Sequence, residues 1–363
     1  MSTILNTALN ILEFVLAFGV LVFIHELGHY IVARLSGINV EEFGFGFPPK
    51  MVKLFRWKGT DFTLNWIPFG GFCRMKGENA GDLQPGSFAA AKPSRRLLTL
   101  LGGPVMNLLL GFILVIILFM KAGASDTTKV LVTDVAAGSP AAAANIQVND
   151  IITKIGGEDV TSMDSLSALV KKNLDMTTEV TLQRGDQILT VELVPRSRPP
   201  EGQGAMGVTI SNPTIPVTFF QAVPQAAFST LDQGAQLIML PVKLITGQVE
   251  ASSTRMVSVV GLYDMYRQVK TEDAEASASY PQAKNLYVLS YLATLSIALG
   301  YTNLLPIPAI DGGRILFLLP DLLFKKKMRP ELENNINLIA FSLLILLMVV
   351  LVINDVVNPI SLP

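Results

Sequence analysis

The chain has 363 residues, of which 50% are hydrophobic and only 16% are charged, and its net charge is −1. Its mean hydropathy is +0.47, whereas about a quarter of the residues in an ordinary soluble domain are charged. This composition excludes a disordered chain and argues against a wholly soluble one. The near-neutral charge gives no reason to expect a nucleic-acid partner. A single cysteine, Cys73, excludes an intramolecular disulfide and a cysteine-based zinc cluster.

Four apolar stretches predict transmembrane helices, because crossing a bilayer takes about 20 mainly apolar residues. Three are the uncharged runs 97–120, 285–310 and 334–354. The fourth is the N-terminal stretch, where residues 1–33 contain no Lys or Arg and therefore do not predict a cleavable signal peptide. A fifth apolar region, 218–249, is broken by prolines and charged residues, which predicts an interfacial amphipathic segment instead.

The placement of Lys and Arg predicts the orientation in the membrane. Segment 34–96 has ten basic and five acidic residues, and segment 311–333 has five basic and four acidic residues. By the positive-inside rule, both loops face the cytoplasm. The two termini and the long segment 121–285 would then lie on the outer side.

The segment 122–211 is expected to form a small α+β domain. Alternating patterns predict strands over 129–135, 149–155, 179–183 and 188–193, with a helix over 165–172. This order, with Gly138-Ser-Pro140 after the first strand, resembles a bacterial PDZ domain. Asn145 and Asn149 stand where that pattern usually has glycine, and both tolerate positive φ.

PDZ domains bind an extended peptide by strand addition and hold its terminal carboxylate on backbone amides. The resemblance places that carboxylate loop at residues 205–208, with Gly207 as the substrate-binding residue. The alternative is a structural plug that binds no peptide.

His25-Glu26-Leu27-Gly28-His29 is an H-E-x-x-H motif within the N-terminal apolar stretch, and it contains the chain's only two histidines. Histidines four residues apart project from one helix face and can share a zinc ion. Glu26 is then placed to take a proton from water. The alternative is a pair of buried polar residues linking helices, although ionisable groups in a membrane helix are costly and functional by default.

Catalytic zinc has three protein ligands and an open fourth position. The chain has no third histidine and its one cysteine, Cys73, is remote in the sequence, so the remaining ligand has to be Asp or Glu. Asp311 follows a proline-containing break at the end of the run 285–310, and broken helices at membrane depth line protein cavities. The sequence therefore predicts one Zn²⁺ held by His25, His29 and Asp311, with helix capping as the alternative role of Asp311.

Three motifs in order resemble the site-2 protease family of intramembrane zinc metalloproteases. They are HELGHY at 25–30, GPVMN at 103–107 and NLLPIPAIDGGR at 303–314. The PDZ-like insert makes the chain similar to the bacterial branch of this family, which includes the regulator-of-sigma-E protease. This chain has one PDZ-like domain, whereas some relatives have two. The resemblance covers nearly the whole chain.

The resemblance implies that the two histidines and Asp311 hold zinc while Glu26 activates water for peptide cleavage. It implies that Asn303 contacts the unwound substrate backbone or the oxyanion. Asn107 would support the site, and its alternative role is helix packing beside small residues.

Residues 38–78 contain aromatic and β-favouring residues between glycines, which predicts a hairpin at the membrane face. The family has a membrane-associated β-element here that can pair with an unwound substrate strand. Plain membrane anchoring by the aromatic side chains is the alternative.

The predicted fold is a polytopic α-helical membrane protein with four transmembrane segments, an inserted α+β PDZ-like domain and a membrane-associated β-hairpin element. The predicted domains are an N-terminal membrane domain (1–121), a PDZ-like domain (122–211), an amphipathic connector (212–284) and a C-terminal membrane domain (285–363).

The resemblance implies regulated intramembrane proteolysis in a bacterial cytoplasmic (inner) membrane. Its partners would be the lipid bilayer and single-pass membrane proteins already cut by a site-1 protease, such as anti-sigma factors or signal-peptide remnants. Two other functions stay open. A catalytically inactive scaffold would not need the intact zinc motif, and a zinc transporter would need several intramembrane sites along a path.

Overall fold

The computed structural model describes residues 2–78, 83–249, 255–279, 284–326 and 328–360. The chain divides into two compact units. The helical unit is formed by Met1–Lys121 and Phe219–Pro363, and the sheet unit by Ala122–Thr218.

In chain order, the elements are α1 (Ser2–Leu35), β1 (Val40–Trp57), β2 (Thr60–Met75), α2 (Pro93–Ala122), β3 (Ala124–Ser125), β4 (Val130–Val135), α3 (Pro140–Ala143), β5 (Ile151–Ile155), β6 (Glu158–Asp159), α4 (Met163–Lys172), β7 (Thr178–Arg184), β8 (Gln187–Leu193), β9 (Val208–Ser211), β10 (Thr214–Ile215), α5 (Phe219–Ile245), α6 (Val259–Ser279), α7 (Leu286–Leu304), α8 (Asp311–Phe324) and α9 (Pro330–Val357).

Three helices in the described part of the chain are long and apolar enough to cross a membrane. They are Leu5–Leu35, Pro93–Ala122 and Glu331–Val357. Helix α9 leaves apolar side chains such as Leu338 and Phe341 more than half exposed, which suits contact with lipid rather than water. Helix α7 is not among the three, so the predicted count of four spans stays a prediction.

Within the run 285–310, the helix ends at Leu304, where the predicted proline-containing break begins. Prolines in the residues that follow cannot donate a backbone N–H and interrupt the helix. Ala309 adopts a φ of +74°, and its N–H donates to Asn337 Oδ1 of α9 at 3.1 Å. The break is therefore anchored by a neighbouring helix, and α8 begins directly after it at Asp311.

The strands β1 and β2 pair antiparallel and form the β-element, residues 40–75. The segment 43–45 of β1 has partners in β2 at both 62–64 and 71–73. Within the described residues, 71–75 pair only with 40–45, so they form an edge of the sheet. The ring of Phe43 packs edge-on against those of Phe23 and Tyr30, which fixes the sheet against α1.

The sheet unit contains a six-stranded antiparallel sheet in the order β8-β7-β5-β4-β9, with β6 paired to β5. Its core contains fully buried side chains from alternate strand positions, namely Val130, Val132, Ile152, Val180 and Leu182. Asn145 and Asn149 adopt φ values of 59° and 74°, as their places in the motif required.

Asp150 is a fully buried charge in the sheet unit. Its carboxylate accepts hydrogen bonds from Arg184 Nε at 2.7 Å and Nη2 at 2.8 Å, and from the Gln147 N–H at 2.8 Å. Burial raises the pKa of Asp150, but the Arg184 and Gln147 hydrogen bonds and the arginine charge outweigh it, so the pKa lies below its ordinary value. The pair therefore stabilises the fold while the carboxyl is ionised.

We expect Asp150→Asn to lower the free energy of unfolding of the sheet unit by about 2 kcal/mol, because a neutral amide replaces the buried carboxylate that accepts hydrogen bonds from Arg184 and Gln147. The wild-type contribution is complete above the ordinary carboxyl pKa of about 3.9 and is lost as the pH falls through the lower folded-state pKa. Hydrogen exchange of the strand amides in the full chain, measured across pH, tests this. Asp186→Asn, in an exposed turn, is the control, and equal protection in both variants would contradict the expectation.

Candidate metal centre

The residues predicted to bind metal come together in the helical unit. Helix α1 places His25 and His29 one turn apart, only 8% and 5% exposed, with their Nε2 atoms 3.2 Å apart. The first residue of α8, Asp311, places Oδ2 at 3.0 Å from His25 Nε2 and 3.1 Å from His29 Nε2. Three donor atoms therefore converge on one point.

The donor set fits a zinc ion. Zinc–nitrogen and zinc–oxygen bonds of about 2.1 Å in a tetrahedral arrangement separate the ligand atoms by about 3.4 Å. The three observed separations lie between 3.0 and 3.2 Å. In the part of the chain that the structure describes, the cluster contains these three residues alone. A fourth coordination position would thus be left for water or substrate.

The backbone of α2 orients His29. The Nδ1 atom of His29 lies 2.8 Å from the carbonyl oxygen of Thr99, so Nδ1–H donates to that oxygen and Nε2 keeps its lone pair for a metal. Sequence reasoning did not find Thr99, because a main-chain carbonyl can belong to any residue type.

Asn107, predicted to support the site, is buried in α2 and contacts two other helices. Its side-chain nitrogen lies 3.4 Å from His25 Nδ1, and its main-chain oxygen accepts a hydrogen bond from Ser296 Oγ of α7 at 2.8 Å. Its side-chain oxygen has no hydrogen-bond partner among the described residues. The predicted supporting and packing roles are thus both compatible with its position.

Glycines allow α1 and α2 to approach at the metal centre. A Cβ atom on Gly28 would lie 2.1 Å from the Gly102 carbonyl oxygen. A Cβ atom on Gly103 would lie 2.3 Å from His29 Nε2 and 2.7 Å from His25 Nε2. Small residues of this kind let membrane helices pack closely, and here they leave room for the imidazoles.

The catalytic cavity, of about 640 Å³, contains the metal centre and is also lined by Glu26 and Asn303. The Glu26 carboxylate accepts a hydrogen bond from the backbone N–H of Cys73, in the edge segment of β2. Asn303 Nδ2 donates to the Leu299 carbonyl oxygen at 3.0 Å. Five of the predicted residues therefore surround one cavity: His25, Glu26, His29, Asn303 and Asp311.

Gly207 lies in the sheet unit. Its φ is +76°, and an added Cβ would lie 2.2 Å from Ser139 Cβ, so both the backbone conformation and the space favour glycine. Its N–H donates to the Gly204 carbonyl oxygen at 3.0 Å. A peptide carboxylate at this loop would have to compete with that bond, and the binding role of Gly207 stays a prediction.

An ion pair that sequence reasoning did not find crosses the wall of the catalytic cavity. Arg314 of α8 donates to Glu78 Oε1, and Glu78 Oε2 accepts the Met75 N–H at 3.0 Å. The edge of β2 is thereby tied to the helix that carries Asp311. The sequence signal that could have indicated this ion pair is Arg314, the last residue of the third motif.

Comparisons with known proteins identify the family of this chain. The sequence model of Peptidase family M50 matches residues 13–347. A Clostridium acetobutylicum protein named as a zinc metalloprotease is 32% identical over 97% of this chain and 98% of its own length. The regulator of sigma-W protease RasP of Bacillus subtilis is 27% identical over 96% of this chain and 98% of RasP.

Among solved structures, the PDZ domain of the SdrC-like protein of Listeria monocytogenes is 23% identical and matches 24% of this chain and 90% of that domain. The TM-score of 0.21 is too low to establish a common fold.

We expect Gly103→Ala to weaken zinc binding by about 10–100-fold, the range found when groups around metal ligands are disturbed, because the added methyl would displace both imidazoles. Competition with a chelator on the purified protein measures this. Gly19→Ala is the matched control, since a Cβ there meets nothing within 4 Å. Equal affinities in the two variants would show that the contact is unimportant.

Proposed function

Because this chain belongs to peptidase family M50 and is a site-2-type zinc metalloprotease, we propose that it hydrolyses peptide bonds within the membrane-spanning helices of single-pass proteins. The observation that carries this proposal is the convergence of His25, His29 and Asp311 beside Glu26 in one cavity. The reaction class would be regulated intramembrane proteolysis.

In this mechanism His25, His29 and Asp311 would hold zinc, which would supply Lewis-acid chemistry by polarising a peptide carbonyl and making water easier to deprotonate. Glu26 takes a proton from the attacking water while the oxygen atom of that water bonds to the carbonyl carbon of the substrate. Glu26 then delivers that proton to the amide nitrogen as the C–N bond breaks. The products are a new carboxylate and a new amine. The Cys73 N–H holds the Glu26 carboxylate in place.

We assign Asn107 to orienting His25. His25 can present the lone pair of Nε2 only when Nδ1 carries the proton, and Nδ1–H then needs an acceptor. A half turn of the Asn107 amide would bring its oxygen, which has no partner among the described residues, toward Nδ1. The two imidazoles would then both be oriented by α2, one through a side chain and one through the Thr99 carbonyl.

The substrate helix has to unwind locally before hydrolysis, because internal hydrogen bonds shield its carbonyl groups. An extended segment could add to the sheet edge formed by residues 71–75, and all five of these residues line the catalytic cavity. We assign Asn303, which also lines this cavity, to contact with the substrate backbone or the oxyanion.

The proposed topology has four spans, α1, α2, α7 and α9, in a bacterial cytoplasmic membrane. Loops 34–96 and 311–333 would face the cytoplasm, since both carry an excess of Lys and Arg. The termini and the PDZ-like segment 122–211 would lie outside. The PDZ-like assignment of segment 122–211 is supported by the order of its sequence motifs and by its antiparallel sheet with two helices.

We further propose that the substrates are single-pass proteins already cut by a site-1 protease, with the PDZ-like domain excluding those that keep a bulky outer domain. The name of RasP, a regulator of sigma-W, supports anti-sigma factors as one substrate class. Signal-peptide remnants are the other class.

We expect Glu26→Gln to keep zinc but to lower cleavage by about 10²–10⁴-fold, the usual contribution of a general base. Cleavage of a single-pass model substrate in proteoliposomes and metal analysis of the same preparation give both readouts. Asp311→Asn is the comparison, because it should lose zinc as well as activity. Cleavage by Glu26→Gln at the wild-type rate would remove Glu26 from the mechanism.

The four-span topology predicts opposite sides for the two ends of the segment that contains α7. In a Cys73→Ser background, Lys284→Cys should react with a membrane-impermeant maleimide added outside, whereas Lys326→Cys should react only after the membrane is opened. Both lysines are exposed, so burial will not mask labelling. Labelling of both from the same side would leave α7 as a segment that does not span.

A further inference from the structure

A further cavity, of about 340 Å³, lies between α1 and the β-element. We call it the side pocket. Its walls are mostly apolar side chains and glycines, among them Phe23 and Leu64. Glu26 and Gly71 line both the side pocket and the catalytic cavity. The two spaces therefore meet at the residue that we propose as the general base.

We propose that the side pocket receives an apolar side chain of the substrate, belonging to one of the two residues that flank the scissile peptide bond. This inference rests on the proposed function. An apolar cavity of about 150 Å³ already accommodates benzene, so the side pocket has room for a leucine or phenylalanine side chain. Among the described residues that line it, Glu26 alone is ionisable, so the pocket gives a charged side chain no counter-charge beyond the base itself.

Asn65 adds a polar group to this apolar wall. The residue is only 4% exposed, and its Nδ2 donates to the Gly46 carbonyl oxygen at 2.9 Å. Its Oδ1 has no hydrogen-bond partner within the described ranges, and a buried acceptor without a donor is costly. A backbone N–H of the substrate residue whose side chain enters the pocket would supply that donor.

Gly19 determines how much of the side pocket is open. It lies in α1 and lines the pocket, and a Cβ atom added to it would meet nothing within 4 Å. At Gly70, on the opposite wall, an added Cβ would lie 2.3 Å from the ring of Phe47. A Cβ atom at position 19 would thus have free space around it, and a larger side chain there would fill part of the pocket, which makes Gly19 a specificity-determining residue.

The test uses the full-length, zinc-loaded protein in proteoliposomes. Its substrates are single-pass model proteins in which each residue flanking the mapped cleavage site is in turn Ala, Val, Leu or Phe. Wild type should cleave the Leu and Phe substrates faster than the Ala substrate at one of these positions. In Gly19→Leu the ratio of Leu to Ala cleavage should fall about tenfold or more, since one methylene in a hydrophobic pocket is worth that much. Gly19→Ala should give a smaller fall in the same direction.

Leu12→Phe is the matched control, because it adds apolar bulk to α1 at a position that is 53% exposed and outside the side pocket. It should leave the ratio unchanged. An unchanged ratio in both Gly19 variants, or an equal loss of cleavage for every substrate, overturns the inference. Such a result is expected if the pocket holds a lipid chain, because cleavage would then not depend on the side chain of the substrate. If Gly19→Leu loses zinc, Gly19→Ala decides the outcome.

The failure of the proposed function would look different. Wild type and Leu12→Phe would then cleave none of the substrates, or Glu26→Gln would cleave them at the wild-type rate. Cleavage that depends on zinc and on Glu26, but not on position 19, would leave the peptidase intact and remove the side pocket from substrate recognition.

Discussion

The structure depends on the meeting of one carboxylate with two imidazoles that are 286 and 282 residues away in the sequence. Ionisable groups within a membrane helix are expensive, and here the histidines and Asp311 face one another rather than the apolar surface. A divalent cation between them would balance the carboxylate and use the lone pairs of both imidazoles. The helices that carry these groups have to be held to within a few tenths of an ångström for that purpose.

Several independent contacts provide this precision. The close approach at Gly28 and Gly102 sets the distance between α1 and α2. At α8, an added Cβ on Gly312 would lie 2.0 Å from the Leu305 carbonyl oxygen, so the broken segment folds tightly over the helix that begins with Asp311. Asn337 holds the same segment from α9. Packing contacts and a hydrogen bond therefore fix the position of Asp311 even without a bound metal.

Helix α1 carries two of the proposed metal ligands and also lines the side pocket. Its C-terminal half carries the H-E-x-x-H residues, and its middle forms a wall of the side pocket. The β-element packs on the same helix through Phe43 and contributes the Cys73 N–H that binds Glu26. A peptide added to the sheet edge would therefore pass the general base and the metal ligands at fixed distances, which is what hydrolysis of an unwound segment requires.

The sequence by itself determined the apolar segments and, through the resemblance of three motifs, the family and its zinc. Helical spacing and the coordination number of zinc predicted the metal ligands, because both act on residue type alone. The alternating strands of the sheet unit could be predicted for the same reason, since one buried face imposes a period of two. Only the tertiary structure gave the distances between Asp311 and the histidines, placed the Thr99 carbonyl on His29 and opened the side pocket beside Glu26. These features depend on backbone atoms, on empty space and on contacts between helices distant in sequence, and none of the three has a signature in residue type.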